Sequence, residues 1–236
     1  MPYECVERTH VGCRRKLNED AVLSAPDQRL WAVADGMGGH EAGDVASALV
    51  VEHLASCDQP DLLDRVSAVG RVLQDANHSL RNMGGERTIG ATVVVLAADD
   101  QGFACLWAGD SRAYCLRRGQ LRQLTRDHSL VQELVDVGAL SPDEAAGHPN
   151  ANVIRRAVGA ADRLDLDLIN GEVAEGDVFL LASDGLTRLV QDSELAELLA
   201  ADDLEDAAER MLQTTLDRGA PDNVSLVLVR RIASSD

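Results

Sequence analysis

Two hydrophobic periods divide this chain into blocks, and the order of the blocks excludes a strict β-α alternation. Apolar runs with strand character at 5–11, 21–24 and 30–34 come first. Two helical patterns follow: Ala46, Leu49, Val50 and Leu54 share one face, and Leu62, Val66, Val69, Leu73, Ala76 and Leu80 step by four and three. Strands return at 91–97, 103–108, 113–116 and 121–124, the last two joined by a turn at Arg118-Gly119-Gln120. A helix is expected at 129–137, stopped by Gly138. Ser141-Pro142-Asp143-Glu144 opens another, with a serine cap, a proline in the first turn and a glutamate placed for a capping box. Strands at 164–173 and 178–182 and helices at 192–200 and 204–216 lead to a last strand from Val224. There Val224, Leu226 and Leu228 face one way and Ser225, Val227 and Val229 the other, so the strand is central and covered on both sides. Strands in runs with helices in pairs predict an α+β fold built in layers.

No linker, repeat or low-complexity tract interrupts the chain, so residues 1–236 read as one domain, with 138–152 as a polar surface excursion. Trp, Tyr and Phe number two each, so Leu, Val and Ala must supply the core. Lys plus Arg is 22 against 40 Asp plus Glu, a formal net charge of −18. That balance argues against nucleic acid, whose binding rests on basic side chains neutralising phosphates, and against an anionic membrane surface. The five cysteines form no Cys-x-x-Cys pair, which argues for a reducing compartment and against a disulfide framework or structural zinc. The first residues lack the layout of a signal peptide, and no apolar stretch approaches the ~18 residues of a membrane span. The expected location is cytoplasmic.

Acidic residues recur where strands begin or end. Glu19-Asp20 leads into one strand, Asp35-Gly36 and Asp184-Gly185 each terminate an apolar run, and Asp222-Asn223 precedes the last strand. If these strands are neighbours, their carboxylates converge, and several carboxylates close together need protons or cations. Oxygen donors without cysteine or clustered histidine select Mg²⁺ or Mn²⁺ over zinc. A glycine after the aspartate lets its carbonyl approach an ion, so Gly36 is a candidate ligand; the plainer alternative makes each Asp-Gly a turn. The glycine-rich stretch after Asp35 is neither a Walker A loop nor a dinucleotide-binding fingerprint. His40, five residues past Asp35, is a candidate proton donor.

Arg15-Lys16-Leu17-Asn18-Glu19-Asp20, Asp35-Gly36-Met37-Gly38-Gly39-His40, Gly109-Asp110-Ser111-Arg112, Thr125-Arg126-Asp127-His128, Ser183-Asp184-Gly185 and Pro221-Asp222-Asn223 occur in that order. This set resembles the metal-dependent serine/threonine protein phosphatases, the type 2C or PPM family, in its compact bacterial form. The chain departs from the family in reading Gly90-Ala91-Thr92 for Gly-Thr-Thr, and in placing Lys16-Leu17 before Asn18. The resemblance implies a four-layer α-β-β-α sandwich, two antiparallel sheets flanked by helix pairs, with a two-ion Mn²⁺ or Mg²⁺ centre at one end. It implies that Asp35 bridges both ions and that Asp184 and Asp222 complete the first. The second ion takes the Gly36 carbonyl and Glu19 or Asp20, directly or through water. Asp127 with Asp184 is expected to hold a third, weaker ion, Arg15 to grip the substrate phosphate and His40 to act as general acid. Residues 138–152 become a flap beside the site.

The implied activity is hydrolysis of phosphoserine and phosphothreonine by a metal-activated water, reversing a serine/threonine kinase. The expected partners are a phosphorylated protein and that kinase, and the expected state is a monomer. The alternative is a non-hydrolytic, metal-bound phosphopeptide-binding module. For Arg15, the competing reading is a surface ion pair with Glu19.

Overall fold

A strand with two apolar faces must be covered on both sides, and this requirement organises the molecule. The computed structural model describes residues 3–38, 42–84 and 87–233. Their first part holds β1 (Tyr3–His10), β2 (Asp20–Ala25), β3 (Leu30–Met37), α1 (Gly43–Ala55) and α2 (Leu62–Gly84). A strand-rich middle follows, with β4 (Gly90–Ala91), β5 (Val93–Ala98), β6 (Gly102–Ala108), β7 (Arg112–Arg117) and β8 (Gln120–Gln123). Next come α3 (Leu130–Asp136), α4 (Pro142–Ala146), β9 (Asp167–Glu172) and β10 (Val178–Ala182). The last part holds α5 (Asp184–Thr187), α6 (Asp192–Leu199), α7 (Leu204–Asp217) and β11 (Val224–Arg231).

The strands form two sheets, ordered β1-β11-β10-β7-β8 and β2-β3-β5-β6-β9, with β4 paired to β3. Every pairing is antiparallel. Side-chain alternation divides each central strand between two cores. In β3 and β5, Leu30, Ala32, Val93 and Val95 pack under α1 and α2, against Val50, Leu54, Val69 and Leu73. Trp31, Val33, Val94 and Leu96 from the same strands meet Phe179, Leu181, Val227 and Val229 between the sheets. On the outer side of the other sheet, Leu180, Leu226 and Leu228 pack under Leu195, Ala208 and Met211 of the last helices. The result is the expected α-β-β-α layering. β11 lies between β1 and β10, as its doubly apolar pattern requires.

Local chemistry decides where the elements stop. Ser141 and Glu144 close a capping box at the start of α4, and Gly138 ends the preceding helical turn in the left-handed conformation at φ 72°. Two polar residues on the buried side of α2 hold neighbouring backbone in place. Arg65 donates to the Ala98 and Gln59 carbonyls at 2.8 and 2.7 Å. Asn77 accepts from the Gly159 N–H at 2.7 Å and donates to the Ala161 carbonyl at 2.9 Å.

Some boundaries differ from those expected. β3 continues through Asp35-Gly36 to Met37, because Gly36 and Met37 pair with β4. The run at 91–97 breaks at Thr92, whose N–H donates to the Asp35 carbonyl at 2.8 Å. The strand expected at 164–173 begins only at Asp167: Leu164 and Leu166 pack under the helices, and Asn77 holds the irregular segment before them. The four-residue α5 has no hydrophobic period of its own to announce it.

Leu73 has no solvent exposure and packs in the core beneath α2. Leu73→Ala should therefore lower the unfolding free energy by about 2–5 kcal/mol. Urea denaturation checks this as a drop in midpoint at constant slope; an unchanged midpoint would show that α2 contributes little to that core.

Candidate functional site

Strand register brings the acids together. Asp20 stands directly opposite Asp35 in the β2–β3 pairing, and the alternation that sends Trp31 and Val33 between the sheets sends Asp35 there too. From the facing sheet come Asp184, just after β10, and Asp222, just before β11. The two sheet ends are tied by the Ser183 hydroxyl, which donates to Asp20 Oδ2 at 2.8 Å. Asn223 anchors the loop before β2: it accepts from the Glu19 N–H at 2.9 Å and donates to the Val11 and Leu17 carbonyls at 2.9 and 3.0 Å.

Neither Asp-Gly pair is a turn. A Cβ on Gly36 would stand 1.9 Å from the Gly43 carbonyl oxygen, and one on Gly185 would stand 1.8 Å from that of Asn223. Each glycine is needed so that a neighbouring backbone can come close beside an aspartate.

Asp20 and Asp110 are buried, while Asp35 and Asp184 are half-buried. Burial pushes the Asp20 and Asp110 carboxyls up to about 7, and neighbouring carboxylates add to the shift. Asp35 is driven well above the usual range, first by desolvation and then by Asp20, Asp184 and Asp110. Asp184 is raised by desolvation, against the opposing effect of Arg188. Two like charges about 5 Å apart cost roughly 3 kcal/mol at an effective dielectric near 20, so such a group calls for cations.

Two arginines partly answer it. Arg15 donates to Asp222 Oδ2 at 2.7 Å. Arg188 reaches Asp184 Oδ2 at 2.8 Å and Asp110 Oδ2 at 3.2 Å. Asp20 Oδ1 and Asp110 Oδ1 are nonetheless buried without a hydrogen-bond partner. Among the described residues, no three acidic, histidine or cysteine side chains converge closely enough to hold an ion as they stand. The donor chemistry still fits a hard divalent cation, since acids outnumber arginines here and every donor is oxygen.

Arg15, Glu19, Asp35, Gly36, Asp184 and Asp222 line one open cavity of about 740 Å³, with Arg188 and Asn152 on its wall. Asp20 is not in that wall; it lies between the sheet ends. Arg15 pairs with Asp222, where an ion pair with Glu19 was the competing expectation. Asp127 is held by Arg112, whose guanidinium donates to both its oxygens at 2.7–3.2 Å. His40 lies outside the described residues.

Three further residues shape the site. Asp110 follows an apolar run, as Asp35 and Asp184 do, and that shared placement was its signal. Thr92 accepts from the Asp35 N–H at 3.3 Å and its hydroxyl meets that of Ser111 at 2.7 Å, fixing the Asp35 backbone against the Asp110 corner. Arg188, one turn after Asp184, also donates to Asn152 Oδ1 and so ties the end of segment 138–152 to the acids. Its signal was only the i,i+4 spacing from Asp184, inside a helix too short to predict.

The sequence profile of the family described as protein phosphatase 2C matches residues 13–228. The serine/threonine protein phosphatase PstP of Mycobacterium tuberculosis is 38% identical over 226 residues, covering 94% of this chain and 43% of that protein. This chain thus spans less than half the length of that relative. PppA, described as a key regulatory component of T6SS in Pseudomonas aeruginosa, superposes with a TM-score of 0.91 at 43% identity, covering 98% of both chains. The catalytic domain of PstP in complex with two manganese ions superposes with a TM-score of 0.87 at 34% identity, covering 98% of this chain and 99% of that one.

In metal-free protein, Arg188→Ala should accelerate amide exchange in 150–155 by about tenfold, the equivalent of ~1.4 kcal/mol of lost local stability. Hydrogen-exchange mass spectrometry reads this directly, and unchanged exchange would show that the Arg188–Asn152 tie does not hold the segment.

Proposed function

This chain belongs to the protein phosphatase 2C family, and from that membership we propose that it hydrolyses phosphoserine and phosphothreonine in proteins, reversing a serine/threonine kinase. One observation carries the reading: carboxylates from adjoining ends of two sheets crowd one open cavity that also presents an arginine fork. Asp35, Asp184 and Asp222 would hold one divalent ion, and Asp35, the Gly36 carbonyl and Glu19 a second, with Asp20 acting from behind. Mn²⁺ or Mg²⁺ bound there offsets the charge of a phosphate dianion and lowers the pKa of a bound water. Asp127 was the expected partner of Asp184 for a third, weaker ion; since Arg112 donates to both Asp127 oxygens while Asp110 keeps one unpartnered, such an ion would be held by Asp184 and Asp110.

The chain's own residues supply binding and proton transfer. Arg15 offers a planar pair of donors to two phosphate oxygens, with its tie to Asp222 setting its direction. With Arg14 and Lys16 beside it, it makes a local positive patch on a chain of net charge −18. Protons reach the leaving alkoxide from His40, which is needed because serine and threonine alkoxides are strong bases. Segment 138–152, tied to the acids by Arg188, is the flap that meets the phosphoprotein. The enzyme acts as a monomer in the cytoplasm. All five cysteines are free thiols, and no helix among the described residues is long and apolar enough to cross a membrane.

Hydrolysis of a phosphothreonine peptide should stop with chelator, return with Mn²⁺, and fall by about 10³-fold or more in Asp35→Asn, a loss of ~4 kcal/mol of transition-state stabilisation. Binding of the peptide without turnover would point instead to a phosphopeptide-binding module. His40→Ala should slow phosphopeptide turnover by about 10²-fold yet barely slow p-nitrophenyl phosphate, whose leaving group needs no proton. Equal losses on both substrates would remove His40 from the proton-donor role.

A further inference from the structure

A second cavity, of about 510 Å³, opens where β8 and β9, the outer strands of the two sheets, leave the space between the sheets uncovered. It lies toward the far end from the acids: β7 starts two residues after Asp110 and ends at Arg117 on the cavity rim, about 17 Å further along at ~3.3 Å per residue. Its floor is apolar, made by Phe103, Leu124 and Ile169 from the inter-sheet core. Its rim carries Arg117, Arg118 and Arg122.

These arginines are not equivalent. Arg117 is committed to Asp177, donating to both its oxygens at 2.8 and 2.6 Å. Arg118 and Arg122 have no ion-pair partner among the described residues, although acids outnumber Lys plus Arg by 40 to 22 in this chain. Glu172 is the acid on the rim. Arg118 also occupies the left-handed region, at φ 52° beside Gly119 at φ 76°. Asn, Asp or Gly is the ordinary residue there, and a side chain such as arginine is strained. Among the described residues β8 pairs with β7 alone, so one edge of its backbone has no described strand beside it.

We propose that this cavity is a docking site for an acidic, extended segment of a partner protein, added as a strand to the free edge of β8. Main-chain hydrogen bonds supply affinity in that mode and alternate side chains supply specificity. Leu121 packs toward the helices, so Gln120 and Arg122 face the cavity side of the strand. An acid of the segment meets Arg122, and an apolar residue two positions along covers the floor. Arg118, at the hairpin tip, draws a further acid. The site takes part in recognition only and depends on neither the metals nor the catalytic reading.

The probe is a fluorescein-labelled peptide, Glu-Ser-Val-Ser-Glu-Ser-Val, with a control carrying Gln for Glu, titrated against the full chain by fluorescence polarisation. The acidic peptide should bind, weaken with added salt, and slow amide exchange at 120–123. Arg118→Glu combined with Arg122→Glu should weaken it by at least about tenfold while leaving p-nitrophenyl phosphate turnover unchanged. Arg118→Gly suits the turn and preserves the fold, and should weaken binding several-fold. Equal binding of the Gln peptide, protection elsewhere than β8, or binding that survives both arginine variants would overturn the proposal. Binding of sodium octanoate in this cavity, with no binding of the acidic peptide, would mark it as a small-amphiphile site and overturn the proposal equally.

Discussion

Asp20, Asp35, Asp110 and Asp184 are drawn largely out of water at one end of the sandwich, where burial and neighbouring carboxylates raise the cost of ionising them. A fold tolerates such a cluster only if its scaffold is rigid and its charge is offset. Rigidity comes from strand register, which sets Asp20 against Asp35, and from the Ser183 bridge between the two sheets. The offset is incomplete. Arg188 pairs with Asp184 and Asp110, Arg15 pairs only with the adjoining Asp222, and two buried oxygens still lack partners. In the proposed function that residual deficit is the affinity for divalent ions.

The same end of the molecule shows how neutral groups serve the acids. Thr92 interrupts what would be one long strand and spends its hydroxyl on Asp35 and Ser111. Asn223 uses its whole side-chain amide on the loop that carries Arg15 and Glu19. Gly36 and Gly185 contribute by having no side chain at all. The outer surfaces of both sheets are filled by ordinary aliphatic packing under paired helices, which leaves the sheet ends free for chemistry.

Much of this is legible in the sequence because periodicity is a property of long segments. The doubly apolar β11, the α2 stripe from Leu62 to Leu80 and the capping box at Ser141 can all be read directly. Asp35, Asp184 and Asp222 stand out for a related reason, as acids placed at the ends of apolar runs. What the sequence hides is set by distance in space. Arg15 chooses Asp222, 207 positions away, over the nearby Glu19. Asp127 is claimed by Arg112 because β7 and the segment after β8 lie side by side, which no local pattern reveals. Arg188 acts from a four-residue helix, too short to show a period. The Asp-Gly pairs look like turns until the facing backbones of Gly43 and Asn223 are in place.

The account turns on whether this acid cluster is a cation cage. Anomalous scattering at the manganese edge, from crystals of the full chain soaked in Mn²⁺, tests that most directly. The account predicts two strong peaks sharing Asp35, one reached by Asp184 and Asp222 and the other by the Gly36 carbonyl and Glu19. Crystals that diffract well but show no manganese peak within reach of Asp35, with Arg15 still paired to Asp222 and Arg188 to Asp184, would contradict it.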